Sequence, residues 1–305
     1  VADLTKDGKI TRPLKVVAAC GNGTAGAYAP EVLRAIGCEV IEMDCHLDYT
    51  FPHYNPNPED LEMLHALSAK VKETGADLGF GFDGDGDRCG VVDNTGEEIF
   101  ADKMGVILAR DLSGVHLKAS FVADVKSTGI YAMDPVLKAN GATTDYWKTG
   151  HSYMKRRVHE IGALAGFEKS GHYFFNAPIG RGYDDGLMTA VALARLMDRN
   201  PSQSLADLKH ALPKTWGSPT MAPFCPDDRK YAIVDAITQI FLTHKEQGTL
   251  FKGHVITDVV TVNGVRFTCT DGSWGLVRAS SNKPSLVVVV ESPASEMQMR
   301  RMFGF

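Results

Sequence analysis

The apolar positions of the first third of the chain follow two spacings. Runs of consecutive apolar residues, such as Lys15–Cys20 and Ala76–Phe82, are typical of buried strands. Between them, Leu61–Thr74 has apolar residues at gaps of three and four, which predict one face of a helix. The other predicted elements are the helix Ala29–Ile36 and the strands Cys38–Asp44 and Cys89–Asp93. This alternation of strand and helix predicts an α/β unit.

The second third repeats the same alternation. It predicts strands at Ser120–Val125, Thr143–Trp147 and Leu164–Phe167, and helices at Gly129–Ala139, Ser152–Ile161 and Gly186–Met197. A second α/β unit is therefore expected.

The last third has a different order. One long helix, Tyr231–His244, precedes four β-rich runs, and Asn263-Gly264 predicts a hairpin between the first two of them. A short helix over Ser295–Met302 is expected to follow. The fold class is thus two mixed-sheet α/β domains followed by a smaller α+β domain, over residues 1–111, 112–213 and 214–305.

Composition narrows the possible partners and compartments. The chain has 305 residues, of which 44% are hydrophobic and 23% charged, and its net charge is −5. This charge excludes bulk affinity for nucleic acid, and no apolar run is long enough for a membrane helix. The first residues have no apolar core of a secretory signal. Six cysteines form no C-x-x-C pair and mostly lie in apolar runs, which favours reduced thiols and a cytoplasmic location.

The most informative loop is DGDGDR, residues 83–88, between two predicted strands. Asp83, Asp85 and Asp87 would repel one another without a cation, and the intervening glycines let all three face one centre. Carboxylate oxygens suit Mg²⁺. An EF-hand is excluded because that loop needs glycine and glutamate at its sixth and twelfth positions, where this chain has Arg88 and Asn94.

GNGTAG, residues 21–26, has two interpretations. It matches G-x-G-x-x-G between a strand and a helix, with Asp44 eighteen residues beyond Gly26, as in nicotinamide-dependent oxidoreductases. A tight strand-to-helix turn needs the same glycines for steric reasons. The second interpretation is favoured.

Three further loops carry candidate binding groups. WKTGH (147–151) leads into a basic helix turn, which suits an anion or is simply a solvated helix face. Glu168 and Ser170 lie two residues apart, and together they suit adjacent sugar hydroxyls, although an ordinary loop fits equally. RASSNKP (278–284) offers a guanidinium, hydroxyls and backbone amides, an inventory that suits a phosphate dianion or a polar hairpin loop.

Taken together, these loops resemble the α-D-phosphohexomutases, and most closely their phosphomannomutase/phosphoglucomutase branch. The resemblance covers the whole chain. It rests on CGNGTAG (20–26), FPHYNPNP (51–58), DGDGDR (83–88), DVKST (124–128), WKTGH (147–151), EKSGH (168–172), DDG (184–186) and RASSNKP (278–284).

The resemblance implies phosphoryl transfer between O1 and O6 of mannose or glucose phosphate, through a hexose 1,6-bisphosphate and an active-site phosphoserine. By motif match, Asp83, Asp85 and Asp87 would hold Mg²⁺, and Arg88 would lie beside the phosphoserine. Lys126 and His151 would contact the reacting oxygens and assist proton transfer. Glu168 and Ser170 would hold the sugar, with His172 close by. The remaining phosphate would be held by Arg278, Ser280, Ser281 and Asn282.

Some positions depart from the family. Phe167 stands where the sugar loop usually has glycine, and Ser281 and Asn282 replace the usual end of the phosphate loop. The phosphoserine loop, T-A-S-H-N-P in the family, does not occur in this sequence. We therefore expect a fragment of a four-domain enzyme, a monomer or weak dimer that binds sugar phosphates without turnover. A non-catalytic sugar-phosphate-binding protein is the alternative.

Overall fold

The computed structural model describes residues 1–303, and its first sheet has five strands. Its elements are β1 (Lys15–Ala19), α1 (Ala29–Ala35), β2 (Glu39–Met43), α2 (Leu61–Thr74), β3 (Leu78–Phe82), β4 (Cys89–Asp93) and β5 (Glu98–Ile99). The strand order is β2-β1-β3-β4-β5, in which β1 lies parallel to β2 and β3, and β4 runs antiparallel to β3. The predicted α/β unit is confirmed, although the sequence pattern missed the two-residue strand β5.

Local signals explain the bounds of α2. The Asp60 carboxylate caps its amino end by accepting from the Glu62 amide, and Gly75 ends it with a left-handed backbone, φ 63°. The predicted range Leu61–Thr74 is confirmed.

The second sheet has the order β7-β6-β8-β9. The elements of this part are α3 (Ala101–Val115), β6 (Ser120–Asp124), α4 (Ile130–Met133), α5 (Pro135–Ala139), β7 (Thr143–Trp147), α6 (His151–Glu160), β8 (Ala165–Phe167), β9 (Tyr173–Phe175), α7 (Gly186–Arg199) and α8 (Leu205–His210). The prediction of a single helix over Gly129–Ala139 is wrong. Pro135 starts a new helix there, because Asp134 caps the amides of Val136 and Leu137.

Helix α3 bears on the domain division. It packs mainly on elements of the second part, α4, α5, α7, α8 and β8, and also contacts β4 of the first sheet. The predicted boundary between residues 111 and 112 falls inside α3. We therefore propose that the first boundary lies before α3, close to residue 100.

The third sheet is antiparallel and has the order β10-β15-β14-β13-β12-β11. Its elements are β10 (Trp216–Gly217), α9 (Lys230–Gln247), β11 (Leu250–Phe251), β12 (His254–Val260), β13 (Val265–Cys269), β14 (Trp274–Ala279), β15 (Leu286–Ser292) and α10 (Glu296–Met302). The predicted hairpin joins β12 to β13, and Gly264 has φ 76° in its turn. A consecutive antiparallel sheet beside two helices confirms the α+β fold class.

Apolar packing joins the first two sheets. One cluster of buried side chains extends from Phe80 of β3 to Phe167 of β8, with Leu108 of α3 and Leu193 of α7 between them. The third sheet has its own cluster around Phe241 and Phe267. Within residues 1–303, no helix is both long and apolar enough to span a membrane.

Candidate active site

The loops singled out in the sequence follow the carboxyl ends of β3, β6, β7 and β8. Each of these strands has at least one parallel neighbour in its sheet, and loops at the carboxyl edge of parallel strands in an α/β sheet commonly bind ligands. Below, residues 83–88 are called the aspartate loop, 168–172 the sugar loop and 278–284 the phosphate loop.

In the aspartate loop, three carboxylates face one centre. Each of Asp83, Asp85 and Asp87 offers an oxygen within 4.8 Å of the others. Asp83 is buried, Asp87 is half-buried and Asp85 is exposed, while Gly86 makes the turn with φ 81°. This donor set consists of hard oxygens, which fits Mg²⁺.

Arg88 anchors the buried end of this loop. Its Nε donates to Asp83 Oδ2 at 2.6 Å, and its Nη1 donates to Asn57 Oδ1 at 2.9 Å. The amides of Gly86 and Arg88 donate to the other Asp83 oxygen at 3.1 and 3.0 Å. The guanidinium therefore offsets part of the negative charge and is itself held in one orientation.

The glycine-rich turn after β1 supports the aspartate loop from behind. The Thr24 amide donates to Gly84 O at 3.0 Å. A Cβ at Gly23 would lie 2.8 Å from Gly84 O, and one at Gly26 would lie 2.1 Å from Cys45 O. Backbone packing thus accounts for both glycines, which favours the steric interpretation of GNGTAG over dinucleotide binding.

The sugar loop pairs with the end of the aspartate loop and the start of β4. The Cys89 amide donates to Gly171 O at 3.0 Å, and Arg88 forms an isolated β-bridge with His172. Glu168 is 1% exposed and accepts from the Gly150 amide at 2.5 Å. Backbone contacts therefore hold the two loops side by side.

His172 is the polar link between these loops. Its Nδ1 lies 2.9 Å from Ser170 Oγ and 3.2 Å from Glu168 Oε2, and its Nε2 lies 3.5 Å from Asp87 Oδ1. Burial lowers the pKa of His172, but the Glu168 and Asp87 carboxylates together outweigh burial, so the pKa is raised above its ordinary value. Burial and the neighbouring Asp83 charge raise the pKa of Asp87 to about 6.

His151 begins α6 and faces the same region. Its ring stacks on that of His172, with centroids 6.0 Å apart, and its Nδ1 lies 3.2 Å from Asp184 Oδ2. Lys155 donates to the other Asp184 oxygen at 2.8 Å. Asp184 and Lys155 were not predicted as site residues, although DDG was among the matched motifs and Lys155 belonged to the basic turn.

In the DVKST loop, at the end of β6, most polar side chains are fixed by hydrogen bonds. The buried Asp124 accepts from Ser127 Oγ at 2.5 Å, and Thr128 donates to Glu291 Oε1 at 2.9 Å. Lys126 is half-buried, and within residues 1–303 its Nζ makes no hydrogen bond or ion pair. Lys126 is therefore the residue of this loop that remains available to a ligand.

The phosphate loop begins with the last two residues of β14. Arg278 Nη1 donates to Ala279 O at 3.1 Å, and the buried Nε of Arg278 has no partner among the described residues. Ser280 is half-buried, whereas Ser281 and Asn282 are exposed. Burial lowers the pKa of Arg278, and the charge of Asp124 opposes this effect.

Lys230, which was not among the residues predicted from the sequence, holds the backbone of the phosphate loop. It is 4% exposed, and its Nζ donates to Ser280 O at 2.5 Å and to Lys283 O at 3.2 Å. A lysine at the start of an amphipathic helix carries no sequence signal for this role. Within residues 1–303, no hydrogen bond or ion pair joins the phosphate loop directly to the aspartate loop.

The three-sheet fold and this order of loops define a member of the α-D-phosphohexomutase superfamily. Within it, the chain belongs to the phosphoglucomutase/phosphomannomutase family. The family's alpha/beta/alpha domain II matches residues 2–96, and its alpha/beta/alpha domain III matches residues 100–216.

Individual relatives agree with this assignment. A phosphomannomutase/phosphoglucomutase of Pseudomonas putida is 38% identical over 296 residues, which cover 97% of this chain and 60% of the relative. A phosphoglucomutase of Neisseria meningitidis is 35% identical over 287 residues, covering 93% and 58%. The chain thus spans about three fifths of the length of these relatives.

Solved structures show the same relationship. A phosphoglucomutase/phosphomannomutase family protein from Burkholderia thailandensis superimposes with a TM-score of 0.85 at 32% identity, covering 99% of this chain and 61% of that one. An N-acetylphosphoglucosamine mutase of Aspergillus fumigatus has a TM-score of 0.64 at 11% identity, covering 98% and 66%, and shares the fold alone.

Proposed function

We propose that the complete protein is a phosphomannomutase/phosphoglucomutase. It would transfer a phosphoryl group reversibly between O1 and O6 of a hexose phosphate, through a hexose 1,6-bisphosphate. The observation that carries this proposal is the pairing of the sugar loop with the end of the carboxylate-rich aspartate loop. It consists of the bridge between Arg88 and His172 and the hydrogen bond from Cys89, the residue after the aspartate loop, to Gly171. The names of the relatives point to the same reaction.

The aspartate loop would hold Mg²⁺ through Asp83, Asp85 and Asp87. When bound, the ion supplies Lewis-acid polarisation of a phosphoryl oxygen. The Aspergillus mutase was solved in complex with GlcNAc-6P and magnesium, which supports a divalent ion in this fold. Arg88, already held by Asp83 and Asn57, would face the phosphoryl group that reacts.

The sugar would lie against the next two loops. Glu168 and Ser170 would hold adjacent hydroxyls, and both now contact His172 Nδ1, so sugar binding would replace part of that network. Lys126 and His151 would contact the reacting oxygens, and Asp184 orients the His151 ring so that Nε2 can exchange a proton.

The phosphate that does not react would be bound by the phosphate loop. The buried guanidinium of Arg278 has an N–H without a partner among the described residues, as expected for a side chain that awaits an anion. Ser280, Ser281 and Asn282 would add hydroxyl and amide donors around it.

Binding can be tested on this chain by isothermal titration calorimetry with glucose 1,6-bisphosphate and MgCl₂. We expect the bisphosphate to bind, and Asp85→Asn to weaken Mg²⁺ binding at least about tenfold by removing a carboxylate ligand. Asp258→Asn is the matched control, because this exposed aspartate lies on β12 and, among residues 1–303, pairs only with Lys245. Equal Mg²⁺ affinity in all three proteins would contradict the assigned metal site.

A mutase assay tests whether this chain is active by itself. With glucose 1,6-bisphosphate added, we expect this chain alone to leave mannose 1-phosphate unconverted, because its sequence lacks the phosphoserine loop of the family. Clear formation of mannose 6-phosphate would overturn that expectation. In the complete protein, a near-normal rate of Asp85→Asn at limiting Mg²⁺ would contradict the metal role.

A further inference from the structure

Arg266 is a buried cation that the proposed reaction does not use. It lies on β13 and is 3% exposed. Its Nη1 donates to Val125 O at 2.7 Å and to Ser127 O at 2.9 Å, and these are the carbonyls on either side of Lys126. A single nitrogen from the third sheet therefore closes the turn of the DVKST loop around Lys126.

Two aromatic rings fix the plane of this guanidinium. The Arg266 Cζ lies 3.9 Å from the ring centroid of Tyr146 and 3.6 Å from that of Trp274. Tyr146 belongs to β7 and Trp274 to β14, so the stack bridges the second and third sheets. Within residues 1–303, Arg266 forms no ion pair, and it therefore relies on the two carbonyls and the two rings.

The rest of the turn is tied down independently. Ser127 donates to Asp124, the Thr128 amide donates to the buried Asp102 at 3.0 Å, and the Gly129 amide donates to Glu291 at 2.8 Å. Lys126 alone has a side chain without a partner among the described residues. Such an arrangement presents one ammonium group from an otherwise rigid turn.

We propose that Arg266 is a positioning residue that holds Lys126 in place for the phosphoryl group, an inference that rests on the proposed function. Arg266 pairs with Leu276 across β13 and β14, and Arg278 stands two residues beyond Leu276 on β14. The strand pair that carries the phosphate-binding Arg278 thus also sets the position of Lys126. Arg266, on a strand of the third sheet, thus contributes to the site by holding a loop of the second part of the fold.

The test compares Arg266→Lys and Arg266→Met with Thr215→Val in this chain. Lysine keeps the positive charge, but its ammonium group is not planar. It cannot stack between the two aromatic rings while it donates to both carbonyls. Thr215 donates to Glu291 at 3.1 Å in the same interface but does not contact the carbonyls beside Lys126, so its variant is the matched control. Two readouts report on the turn: amide hydrogen exchange of residues 124–130, and acetylation of Lys126 relative to the exposed Lys138, both by mass spectrometry.

We expect both Arg266 variants to raise exchange in this segment at least about tenfold and to speed acetylation of Lys126, since the turn opens locally. They should also weaken glucose 1,6-bisphosphate binding about tenfold, while Thr215→Val changes neither readout. If exchange and acetylation match the wild type, the inference is wrong. If the variants lower the melting temperature but leave exchange and acetylation unchanged, Arg266 only stabilises the contact between the second and third sheets, and the inference is also wrong.

Failure of the proposed function gives a different result. In that case the wild-type chain would not bind the bisphosphate at all, although Lys126 would still become more reactive in Arg266→Lys. Loss of bisphosphate affinity without any change at Lys126 would overturn the positioning role while leaving the proposed function intact.

Discussion

At the scale of single residues, the site contains charged groups of the same type in different environments. Lys230 is buried and bonded to two carbonyls, whereas Lys126 has no partner among residues 1–303. Asp83 is bonded to Arg88, whereas Asp87 lies between Asp83 and His172. Lys230 therefore supports the phosphate loop. Asp83 anchors its own loop through Arg88 in addition to its proposed role as a metal ligand, whereas Lys126 remains available to a ligand.

The position of Asp87 predicts a pH dependence of Mg²⁺ binding. The pKa of Asp87 is raised to about 6 in the folded protein, above its value in the unfolded chain. Between these two pKa values the folded state holds a proton on Asp87 that the unfolded state has lost. Without metal, the free energy of unfolding therefore falls as pH rises through this range. Mg²⁺ competes with that proton. We therefore expect the Mg²⁺-induced rise in melting temperature to be large above pH 6 and to shrink as pH falls below it.

Differential scanning calorimetry in MgCl₂ and in chelator, from pH 5 to pH 8, measures this rise in melting temperature. In Asp87→Asn we expect a small Mg²⁺ effect with no step near pH 6, because the titrating ligand is gone. A step that persists in Asp87→Asn would assign the proton to another group.

At the scale of elements, close packing of backbone places the loops. The first turn of α7 lies against the aspartate loop, where the Gly186 amide donates to Gly86 O at 3.0 Å. A Cβ at Gly186 would lie 2.7 Å from Arg88 O and 2.8 Å from Gly86 O. The DDG motif therefore needs its glycine because a helix from the second part of the fold supports the aspartate loop of the first.

We predict that Gly186→Ala lowers the free energy of unfolding by about 1–3 kcal/mol and weakens Mg²⁺ binding, because two backbone carbonyls must move. Gly114→Ala is the control in α3, where a Cβ meets nothing within 4 Å, and it should stabilise the protein by about 0.5–1 kcal/mol. Urea unfolding and Mg²⁺ titration measure both. Equal effects of the two variants would contradict this packing role.

At the scale of the whole molecule, one buried carboxylate joins the second and third sheets. Glu291 on β15 is 5% exposed, and its Oε1 accepts from Thr128 Oγ1, from the Gly129 amide and from Trp274 Nε1 at 2.8–3.0 Å. These donors come from the DVKST loop and from β14. The third sheet is thus held against the DVKST loop by a polar contact, and by the apolar packing of Val125 against Trp274 and Leu276.

We predict that Glu291→Ala costs about 3 kcal/mol in the free energy of unfolding, because three buried donors lose a charged acceptor. Glu296→Ala should cost less than about 0.5 kcal/mol, since its pair with Arg300 is exposed. Urea unfolding, followed by tryptophan fluorescence and by circular dichroism, measures both values. A change in Glu291→Ala no larger than in Glu296→Ala would contradict the role of this contact.

The sequence by itself determined most elements and the positions of the polar loops. Periodicity found α2 and β4 with their observed bounds, because both are long or apolar enough for local pattern to dominate. It missed the two-residue strands, and it joined α4 to α5 because it overlooked the break at Pro135. Motif spacing located the aspartate, sugar and phosphate loops, since each is a short run of polar residues after a strand.

Only the tertiary structure decided which of these loops meet and what supports them. The contacts of Asp184 with His151, of Lys230 with the phosphate loop and of Arg266 with the DVKST loop all join residues far apart along the chain. No local pattern records such contacts, because a buried lysine or arginine is recognisable only by what surrounds it after folding. The residue types of the site are therefore readable in the sequence, whereas its supporting contacts are a property of the fold.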